Sequence, residues 1–371
     1  MPDKKYTINE VLSLFEETPP KEVLIHFLTT TDSAEIEAVR IAAEKTLLKY
    51  CGDNVYYRGL IEFSNNCALD CGYCGIRKSN TKVQRYTVKE DDIVKAARWC
   101  AEVRYGSLVL QSGERHDRQF IEFVERITKR IKQETTSSIL PQGLGITLCV
   151  GEHSLETYRG FRDAGAHRYL LRIETTNDEL FKSIHPNQQN LDSRLKSLEY
   201  LKEAGFQVGT GVMIGLPGQT PEMLADDLLF YKKHDFDMFG MGPFIPHKDT
   251  PMGNLPVMPE EQRTNLGLMM IALTRLLTKD TNVAATTALQ ALDPIGREKG
   301  LSFGANILMP QLTPTEFREN YLLYENKPCV DEEKEDCLNC LKRRVEMVGR
   351  IVAQDQWGDS RHFFARNTLF S

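Results

Sequence analysis

Residues 55–74 read VYYRGLIEFSNNCALDCGYC, and this stretch carries the signals that decide the predicted fold. Its first part, residues 55–63, is an apolar run with the length of a buried β-strand. Three cysteines follow the run, at Cys67, Cys71 and Cys74. They therefore lie on the loop that leaves the C-terminal end of the strand, which is the end where barrel enzymes keep their active sites.

The three thiols are predicted to be metal ligands. Cysteine thiolates hold four-iron clusters, and a set of three leaves one iron open for a substrate or a cofactor. A structural zinc site is instead closed by four protein ligands, and no fourth ligand follows Cys74 nearby, since the next histidines are His116 and His153. A zinc knuckle with a remote fourth ligand, or three thiols without metal, is the alternative interpretation.

The composition is typical of a globular protein with small-molecule or protein partners. The chain has 371 residues, of which 41% are hydrophobic and 26% are charged, so it can bury a large core. Its 46 basic and 52 acidic residues give a net charge of −6, which favours neither a nucleic-acid partner nor a membrane surface. The sequence shows no signal segment and no apolar span of ~20 residues. We therefore expect a cytoplasmic protein, in which nine cysteines indicate metal sites and free thiols rather than disulfides.

After a helical N-terminal stretch, strand-like and helix-like segments alternate along the chain. Strands are predicted at residues 55–63, 107–111, 145–150, 168–174, 207–214, 237–244, 283–287 and 302–308. This number of units predicts a closed parallel (β/α)8 TIM barrel, an α/β fold that takes ~250 residues. The predicted domains are an N-terminal helical extension at 1–50, the barrel at 51–312 and a C-terminal extension at 313–371.

Polar residues at the carboxyl ends of barrel strands converge on one cavity, so they are candidates for function. Glu114 follows the second predicted strand, and its alternative role is that of a solvated loop acid. Arg172 and Glu174 end the fourth strand and should face the same side of it, either as binding groups or as a structural salt bridge. Thr286 and Thr287 end the seventh strand, where two hydroxyls suit a small anionic or cyanide-like ligand or, alternatively, cap a helix.

The cysteine loop resembles that of the radical S-adenosylmethionine (SAM) superfamily, because Tyr73 stands just before the last cysteine of a Cys-x3-Cys-x2-Cys motif. This resemblance implies a [4Fe-4S] cluster that binds SAM through its open iron, with Tyr73 against the adenine. The segment QSGE at 111–114 is similar to the Gly-Gly-Glu element that holds the methionyl ammonium group. An electron donor is implied as a partner, since one electron from the reduced cluster cleaves SAM and yields a 5′-deoxyadenosyl radical.

Several separated segments narrow the resemblance to the HydE family, the radical maturases of [FeFe]-hydrogenase. They include IEFSNNC at 61–67, LQSGE at 110–114, RYLLR at 168–172, HDFDM at 234–238 and GPFIPH at 242–247. The resemblance implies that the radical acts on an organometallic iron complex, Fe(CO)2(CN)–cysteine, which a partner radical SAM maturase supplies. A scaffold maturase would receive the product, a precursor of the binuclear part of the H-cluster. We expect a monomer.

The resemblance also implies roles for single residues. The four-iron cluster would be bound by Cys67, Cys71 and Cys74, and SAM would be contacted by Tyr73, Glu114, Glu174 and Arg194. The cavity for the iron substrate would be lined by Gln111, Thr147, Arg172, Met238, Thr286, Thr287, Arg297 and Tyr324. The chain departs from the family pattern at Ile173, where a histidine that could help to handle the substrate occurs in the family.

A second cysteine group, Cys329, Cys337 and Cys340, lies beyond the last predicted strand. It resembles the auxiliary-cluster motif of some HydE members and implies an accessory iron–sulfur cluster, with three metal-free surface thiols as the alternative. Because the motif is not universal in that family, we expect it to be dispensable for turnover. The remaining cysteines are interpreted as small buried hydrophobic side chains, namely Cys51, Cys100 and Cys149.

Other functions remain open at this point. A biotin synthase-like enzyme needs a second cluster held by cysteines on several strands, and only Cys149 lies on a predicted strand. A methylornithine synthase-like enzyme with a small organic substrate lacks strand cysteines too, but the segments quoted above favour the maturase family. A non-catalytic iron–sulfur carrier would not need charged residues such as Glu114 and Arg172 at strand ends.

Overall fold

The computed structural model describes residues 5–186, 189–331 and 334–368, without the side chains at 334–337, 339, 367 and 368. The described strands are β1 (Asn54–Tyr57), β2 (Gly59–Ser64), β3 (Ser107–Ser112), β4 (Gly145–Cys149), β5 (Arg168–Leu170), β6 (Gln207–Thr210), β7 (Met213–Ile214), β8 (Met238–Phe239), β9 (Gly242–Pro243), β10 (Asn282–Val283), β11 (Ile307–Leu308) and β12 (Ile351–Ala353).

The helices lie before, between and after these strands. They are α1 (Ile8–Leu14), α2 (Lys21–Thr29), α3 (Ser33–Tyr50), α4 (Glu90–Glu102), α5 (Arg118–Glu134), α6 (Leu155–Asp163), α7 (Asp178–Ile184), α8 (Leu191–Glu203), α9 (Pro221–His234), α10 (Glu260–Thr278), α11 (Thr287–Leu292), α12 (Gly296–Ser302), α13 (Thr315–Arg318), α14 (Lys334–Met347) and α15 (Arg361–Thr368).

The parallel strands close into a barrel. Seven of them form one sheet in the order β10-β8-β6-β5-β4-β3-β2. Two parallel bridges complete the circle, because Ala284 pairs with Ile307 in β11, and Leu60 in β2 pairs with Gln311 just after β11. The structure therefore confirms the predicted (β/α)8 barrel, with β11 as the eighth strand.

Barrel strands such as β2 and β6 are buried on both faces, whereas helices such as α5 bury one face. All six residues of β2 are buried, so the strand reads as a continuous apolar run. Helix α5 instead buries a stripe at helical spacing that includes Phe120, Val124 and Ile127. Its first turn is capped by Asp117, whose carboxylate accepts a hydrogen bond from Phe120 N at 3.0 Å.

Several predicted strands are interrupted where the chain leaves the barrel. The predicted strand at 55–63 divides into β1, which pairs with β11 and β12, and β2, which pairs with β3. The predicted strands at 207–214 and 237–244 also divide, because their second halves pair with each other as β7 and β9. The predicted strand at 168–174 ends at Leu170, and Glu174 takes a left-handed backbone with φ of 65°. Extended-strand alternation therefore does not apply to Glu174.

The segments before and after the barrel pack against it. Helix α3 packs along α10, and β12 adds to β1 as a parallel strand. An ion pair of 2.9 Å between Arg344 and Glu298 fixes α14 to α12. Beyond β12, Asp359 pairs with the buried Arg168 at the start of β5. The division into three domains stays a prediction. Among the described helices, none combines the length and the apolar character that a membrane span requires.

Candidate active site

The cysteine loop after β2 is held in place by its own polar residues. The Asp70 carboxylate accepts a hydrogen bond from Arg77 Nε at 2.7 Å. The guanidinium of Arg85 donates to the carbonyl oxygens of Asn65 and Ile76, both at 2.7 Å. Asn65 precedes the cysteines and Ile76 follows them, so the single guanidinium of Arg85 binds the backbone on both sides of the loop. These hydrogen bonds hold the loop backbone in place without a bound ligand.

The three thiols of this loop are half-buried and lie close together. Burial raises the pKa of Cys67 and Cys74, and it raises the pKa of Cys71 to about 12. Charge on the neighbouring Cys67 acts in the same direction at Cys71, since the two thiols are close. As free thiols these groups stay protonated at neutral pH, whereas a thiol that coordinates a metal is deprotonated.

This donor set fits an iron–sulfur cluster, because three neighbouring thiolates that are partly shielded from solvent require a strong positive charge between them. Within the described residues, no group of three or more His, Cys, Asp or Glu side chains is arranged to hold a metal ion. A four-iron cluster makes a different demand, since each thiolate binds a different iron and the ligands need not meet at a single point.

The loop after β3 packs directly on the cysteine loop. A Cβ atom on Gly113 would lie 2.5 Å from Asn66 O, so only glycine permits this approach. The next carbonyl, Glu114 O, accepts a hydrogen bond from Ala68 N at 2.8 Å. These contacts place the Glu114 side chain beside Cys67.

The carboxylate of Glu114 is buried against the loop after β4. It lies over Gly151, where a Cβ atom would come within 2.2 Å of Glu114 Cγ. Its Oε1 lies 3.3 Å from His116 Nε2, and this contact raises the pKa of His116. Glu114 is 8% exposed, so it is not the solvated loop acid of the alternative interpretation.

A buried arginine joins the acids of the site. Arg194 Nε donates to Glu152 Oε1 at 2.5 Å, and its Nη1 donates to the carbonyl of Arg172. Burial disfavours the charge of Arg194, but Glu152 and Glu114 outweigh burial and raise its pKa. The guanidinium therefore stays charged and links the ends of β4 and β5.

Arg172 and Glu174 meet at the carboxyl end of β5, although not through strand alternation. Arg172 Nη2 lies 2.9 Å from Glu174 Oε2, an ion-pair distance. The two atoms do not have hydrogen-bond geometry, and Glu174 Oε2 has no hydrogen-bond partner among the described residues. A buried carboxylate oxygen in this state has capacity to accept a hydrogen bond from a ligand.

Tyr73 forms one wall of the same region. Its ring packs on a small apolar cluster that includes Met213 and Met252. Its hydroxyl lies 3.4 Å from Nε2 of the buried His185. An aromatic ring on an apolar floor beside the cysteine loop suits a flat heteroaromatic ligand.

Residues after β10 meet a tyrosine of the C-terminal extension. The hydroxyls of Thr287 and Tyr324 are 2.7 Å apart. Thr286 stands at the first position before α11, but its hydroxyl donates to Met241 O at 3.2 Å and makes no cap. Arg297 is 3% exposed, and its Nε has no hydrogen-bond partner within the described part of the chain. Burial raises the pKa of Tyr324 to about 12, and the hydrogen bond with Thr287 and the charge of the nearby Arg297 act in the opposite direction.

Two other predicted cavity residues lie nearer the amino-terminal ends of the strands. The hydroxyl of Thr147 accepts a hydrogen bond from Arg168 Nε at 2.9 Å. The sulfur of Met238 accepts one from Arg58 Nη1 at 3.0 Å. Both side chains are therefore engaged by buried arginines rather than by the charged residues beside the cysteine loop.

Sequence reasoning missed some residues of the site. Cys149 was expected to be fully buried like Cys51 and Cys100, but its surface is half-buried at the end of β4. Removal of the thiol from solvent raises its pKa to about 12, while the charges of Arg172 and Glu174 act on it in opposite directions. Glu62 in β2 is 1% exposed. An acid inside the apolar run at 55–63 was a usable signal, since a buried charge needs a partner.

The partners of Glu62 come from the C-terminal extension. Lys327 Nζ lies 2.5 Å from Glu62 Oε1, and Gln311 Nε2 donates to Glu62 Oε2 at 2.8 Å. Gln111 Nε2, another predicted cavity residue, donates to Tyr321 Oη at 3.4 Å. Residues 311–327 therefore cover the carboxyl end of the barrel on the side of β2.

The accessory cysteine group is only partly described. Cys329 has a left-handed backbone with φ of 63°, and its carbonyl accepts a hydrogen bond from Arg318 Nη1 at 3.0 Å. Cys340 is exposed on α14, and its sulfur lies 3.4 Å from Arg344 Nε. The side chain of Cys337 lies outside the described residues, so the accessory cluster stays a prediction.

A groove of about 500 Å³ connects the site with the surface. Its lining joins the cysteine loop to the acids and to the start of α8, and includes Leu69, Glu114, Glu152, Gln189 and Lys196.

Comparisons with known proteins agree with this geometry. The family model of the Radical SAM superfamily matches residues 61–231. The [FeFe] hydrogenase maturase subunit HydE of Thermotoga maritima is 42% identical over 345 residues, which cover 93% of this chain and 94% of that protein. The 3-methylornithine synthase of Methanosarcina acetivorans is 24% identical over 323 residues, which cover 87% of each protein.

Solved structures share the fold. Methylornithine synthase PylB has a TM-score of 0.78 at 23% identity, with 94% of this chain and 97% of that chain covered. The FeFe-hydrogenase maturase HydG from Carboxydothermus hydrogenoformans has a TM-score of 0.78 at 18% identity, with 98% and 83% covered. The superfamily implies a [4Fe-4S] cluster and SAM as cofactors. The chain belongs to the radical SAM superfamily and, within it, to the family of the [FeFe] hydrogenase maturase subunit HydE.

Proposed function

We propose that this enzyme uses Cys67, Cys71 and Cys74 to hold the four-iron cluster and acts on Fe(CO)2(CN)–cysteine to build the precursor of the H-cluster. When bound, the reduced cluster supplies the electron that cleaves SAM and yields the 5′-deoxyadenosyl radical. The observation that carries the proposal is the loop of three neighbouring half-buried thiols, with the buried acid Glu174 close to Cys74 and its Oε2 without a hydrogen-bond partner among the described residues. The proposal also rests on the identity to HydE along nearly the whole chain.

The charged residues around the thiols would bind SAM. Glu114 would accept the methionyl ammonium, because its carboxylate is buried beside Cys67. Glu174 would accept hydrogen bonds from the ribose hydroxyls or lie opposite the sulfonium, and Arg194 would bind the methionyl carboxylate. Tyr73 would lie against the adenine ring.

The barrel cavity would hold the iron complex. Arg297 is buried and forms no ion pair with a carboxylate among the described residues. A buried cation of this kind favours an anionic ligand. Arg172 adds a second positive charge, and the hydroxyls of Thr287 and Tyr324 can donate to a cyanide nitrogen. The family resemblance implies further cavity contacts from Gln111, Thr147, Met238 and Thr286, although Thr147 and Met238 accept hydrogen bonds from the buried arginines Arg168 and Arg58.

The proposed partners follow from the reaction. A second radical SAM maturase would supply the iron complex, a scaffold maturase would receive the product, and an electron donor would reduce the cluster. We place the enzyme in the cytoplasm as a monomer, with no nucleic-acid or membrane partner. The second candidate function is that of a methylornithine synthase- or biotin synthase-like enzyme with a small organic substrate. It is supported by the fold that the chain shares with methylornithine synthase.

Anaerobic reconstitution tests the proposal. Reduced enzyme should release 5′-deoxyadenosine or an adenosyl product from SAM, and adding the synthetic iron complex should consume that complex. Apo-hydrogenase should gain activity when this enzyme is supplied with the other maturases and should stay inactive when it is omitted. Consumption of an organic substrate without any effect on apo-hydrogenase would favour the second function.

Two cysteine variants separate the site from the fold. Cys71→Ser should abolish SAM cleavage, because one of three cluster ligands is lost. Cys100→Ser is the matched control, since Cys100 is buried on α4 away from the cysteine loop. SAM cleavage that survives in Cys71→Ser would show that the cluster is bound elsewhere.

A further inference from the structure

The loop between α7 and α8 brings an amide side chain against one thiol of the cysteine loop. Gln189 is 8% exposed, and its Oε1 lies 3.6 Å from Cys71 Sγ. In this arrangement the thiol donates its proton to the amide oxygen. The backbone of the loop supports the contact, because Gln189 N donates to Pro186 O at 2.9 Å.

The other end of the same amide is unsatisfied. Nε2 of Gln189 is buried and has no hydrogen-bond partner in the part of the chain that the structure describes. Most buried polar atoms in proteins are hydrogen-bonded, and a buried amide nitrogen without an acceptor costs free energy. The orphaned nitrogen therefore has the capacity to donate a hydrogen bond to an acceptor beside Gln189.

Cluster binding would create that acceptor. A thiol that ligates iron is a thiolate, so the sulfur of Cys71 would lose the proton that it now donates to Gln189. Two acceptors, Oε1 and a thiolate sulfur, would then face each other. A half-turn of the terminal torsion of Gln189 exchanges Oε1 and Nε2 without moving the rest of the side chain. The amide would then donate to the thiolate, and a hydrogen bond to a charged acceptor is stronger than one between neutral groups.

A hydrogen bond of this kind has a known consequence. Donors to the sulfurs of an iron–sulfur cluster raise its reduction potential, since they stabilise the additional negative charge of the reduced state. We infer that Gln189 is a positioning residue for the cluster, which donates an amide hydrogen bond to the Cys71 thiolate and makes the cluster easier to reduce. The inference rests on the proposed function, because it requires the cluster at this loop.

Charged neighbours also influence the sulfur of Cys71 electrostatically. The test must therefore separate the effect of these charges from the effect of the amide hydrogen bond. Arg194 and Glu114 both influence the Cys71 sulfur. Gln189→Leu removes the amide at similar volume and leaves both charges in place. Gln189→Glu removes the donor and puts a carboxylate in its place. Lys196→Gln is the matched control, because Lys196 lines the same groove but is exposed, where solvent screens its charge.

The experiment is a redox titration of the full chain with a reconstituted cluster, without SAM, followed by electron paramagnetic resonance. Gln189→Leu should reduce the one-electron equilibrium constant about tenfold, which corresponds to a midpoint potential ~59 mV more negative. Gln189→Glu should shift the potential further in the same direction, and Lys196→Gln should keep the wild-type value. Equal potentials for wild type and Gln189→Leu, at equal iron content, would overturn the inference.

A measurement on the wild type covers the case in which the variants take up no cluster. With ¹⁵N in the glutamine side chains, hyperfine spectroscopy of the reduced cluster should detect an amide nitrogen coupled to it, and absence of this coupling would overturn the inference. Weaker SAM binding in Gln189→Leu at an unchanged potential would also overturn it, because Gln189 would then serve SAM. A wild-type chain that binds no four-iron cluster at all would instead refute the proposed function.

Discussion

Replacing Lys327 by methionine should destabilise the protein strongly, because it breaks a buried ion pair and leaves one charge behind. The side chains of Lys327 and Glu62 are 6% and 2% exposed, and the atoms Nζ and Oε1 are 2.5 Å apart. Breaking a buried pair on one side costs about 3–5 kcal/mol. We expect the lower end of this range, since Gln311 still donates to the other carboxylate oxygen at 2.8 Å.

The chain offers a matched control with the same distance and a different burial. Lys82 Nζ also lies 2.5 Å from a carboxylate, that of Asp249, but the Lys82 side chain is 74% exposed. Lys82→Met should therefore cost far less stability than Lys327→Met, because solvent screens the exposed pair. Both variants are compared with the wild type by urea unfolding of the metal-free chain, where the midpoint reports stability if the slope is unchanged.

A second substitution tests whether the cost comes from the unpaired charge. In Glu62→Gln combined with Lys327→Met, the buried site holds no charge, so the double variant should regain more than half of the lost stability. The reasoning fails if Lys327→Met is as stable as Lys82→Met, or if the double variant is no more stable than Lys327→Met.

The same variant should impair the iron-substrate reaction more than SAM cleavage. Lys327 Nζ also donates to Tyr321 O at 3.0 Å and so anchors the segment that brings Tyr324 to Thr287. Loosening this segment should raise KM for the iron complex, while release of 5′-deoxyadenosine from SAM alone persists.

Three further outcomes follow from the structure. His362 bridges Asp280 and Asp235 at 2.8 and 2.6 Å; burial opposes its charge, but the two acids outweigh burial and raise its pKa. Because the pKa of His362 is higher in the folded chain than in the unfolded chain, its protonation stabilises the fold fully at a pH below the unfolded-state pKa of about 6.5. This stabilisation is lost as the pH rises through the folded-state pKa. In urea unfolding, His362→Gln should therefore cost more stability at about pH 6 than at about pH 9. Arg297→Met should weaken binding of the iron complex, so that its KM rises about tenfold or more, because the substitution removes a buried cation that has no paired carboxylate among the described residues. The stability measured by urea unfolding should not fall. Cys337→Ser should leave hydrogenase maturation in vitro largely intact, and loss of maturation would show that the accessory cysteines are required.

The fold was predictable because the signals for it are local. Some barrel strands, such as β2, lie in apolar runs, and the start of α9 is marked in the sequence by Thr220 as the N-cap and Pro221 as the first helical residue. The breaks in the strands were not predictable from periodicity. Glu174 adopts a left-handed backbone in a segment that reads as a strand, because its carbonyl accepts from Met213 N and its amide donates to Gly211 O. Those contacts are tertiary, and they override local propensity.

The candidate site was predictable where the residues form a motif and not where they meet by long-range folding. The thiols of Cys67, Cys71 and Cys74 come from one loop, so their spacing carries the signal. Gln189 contacts Cys71 from a loop far along the chain, and nothing in its local sequence indicates this contact. Lys327 reaches Glu62 from the C-terminal extension, and only the buried acid within a strand hinted that such a partner exists.

The C-terminal extension completes the barrel at both ends, which decides how independent the predicted barrel domain can be. At the carboxyl end, Lys327 neutralises Glu62. At the amino end, Asp359 pairs with Arg168, which is 0% exposed. A barrel that stopped at residue 312 would leave both of these buried charges without their partners, and each unpaired buried charge costs several kcal/mol against a total stability of about 5–15 kcal/mol. We therefore predict that the extension folds together with the barrel, and α14 lies on the stretch of chain between Lys327 and Asp359 that makes the two ion pairs.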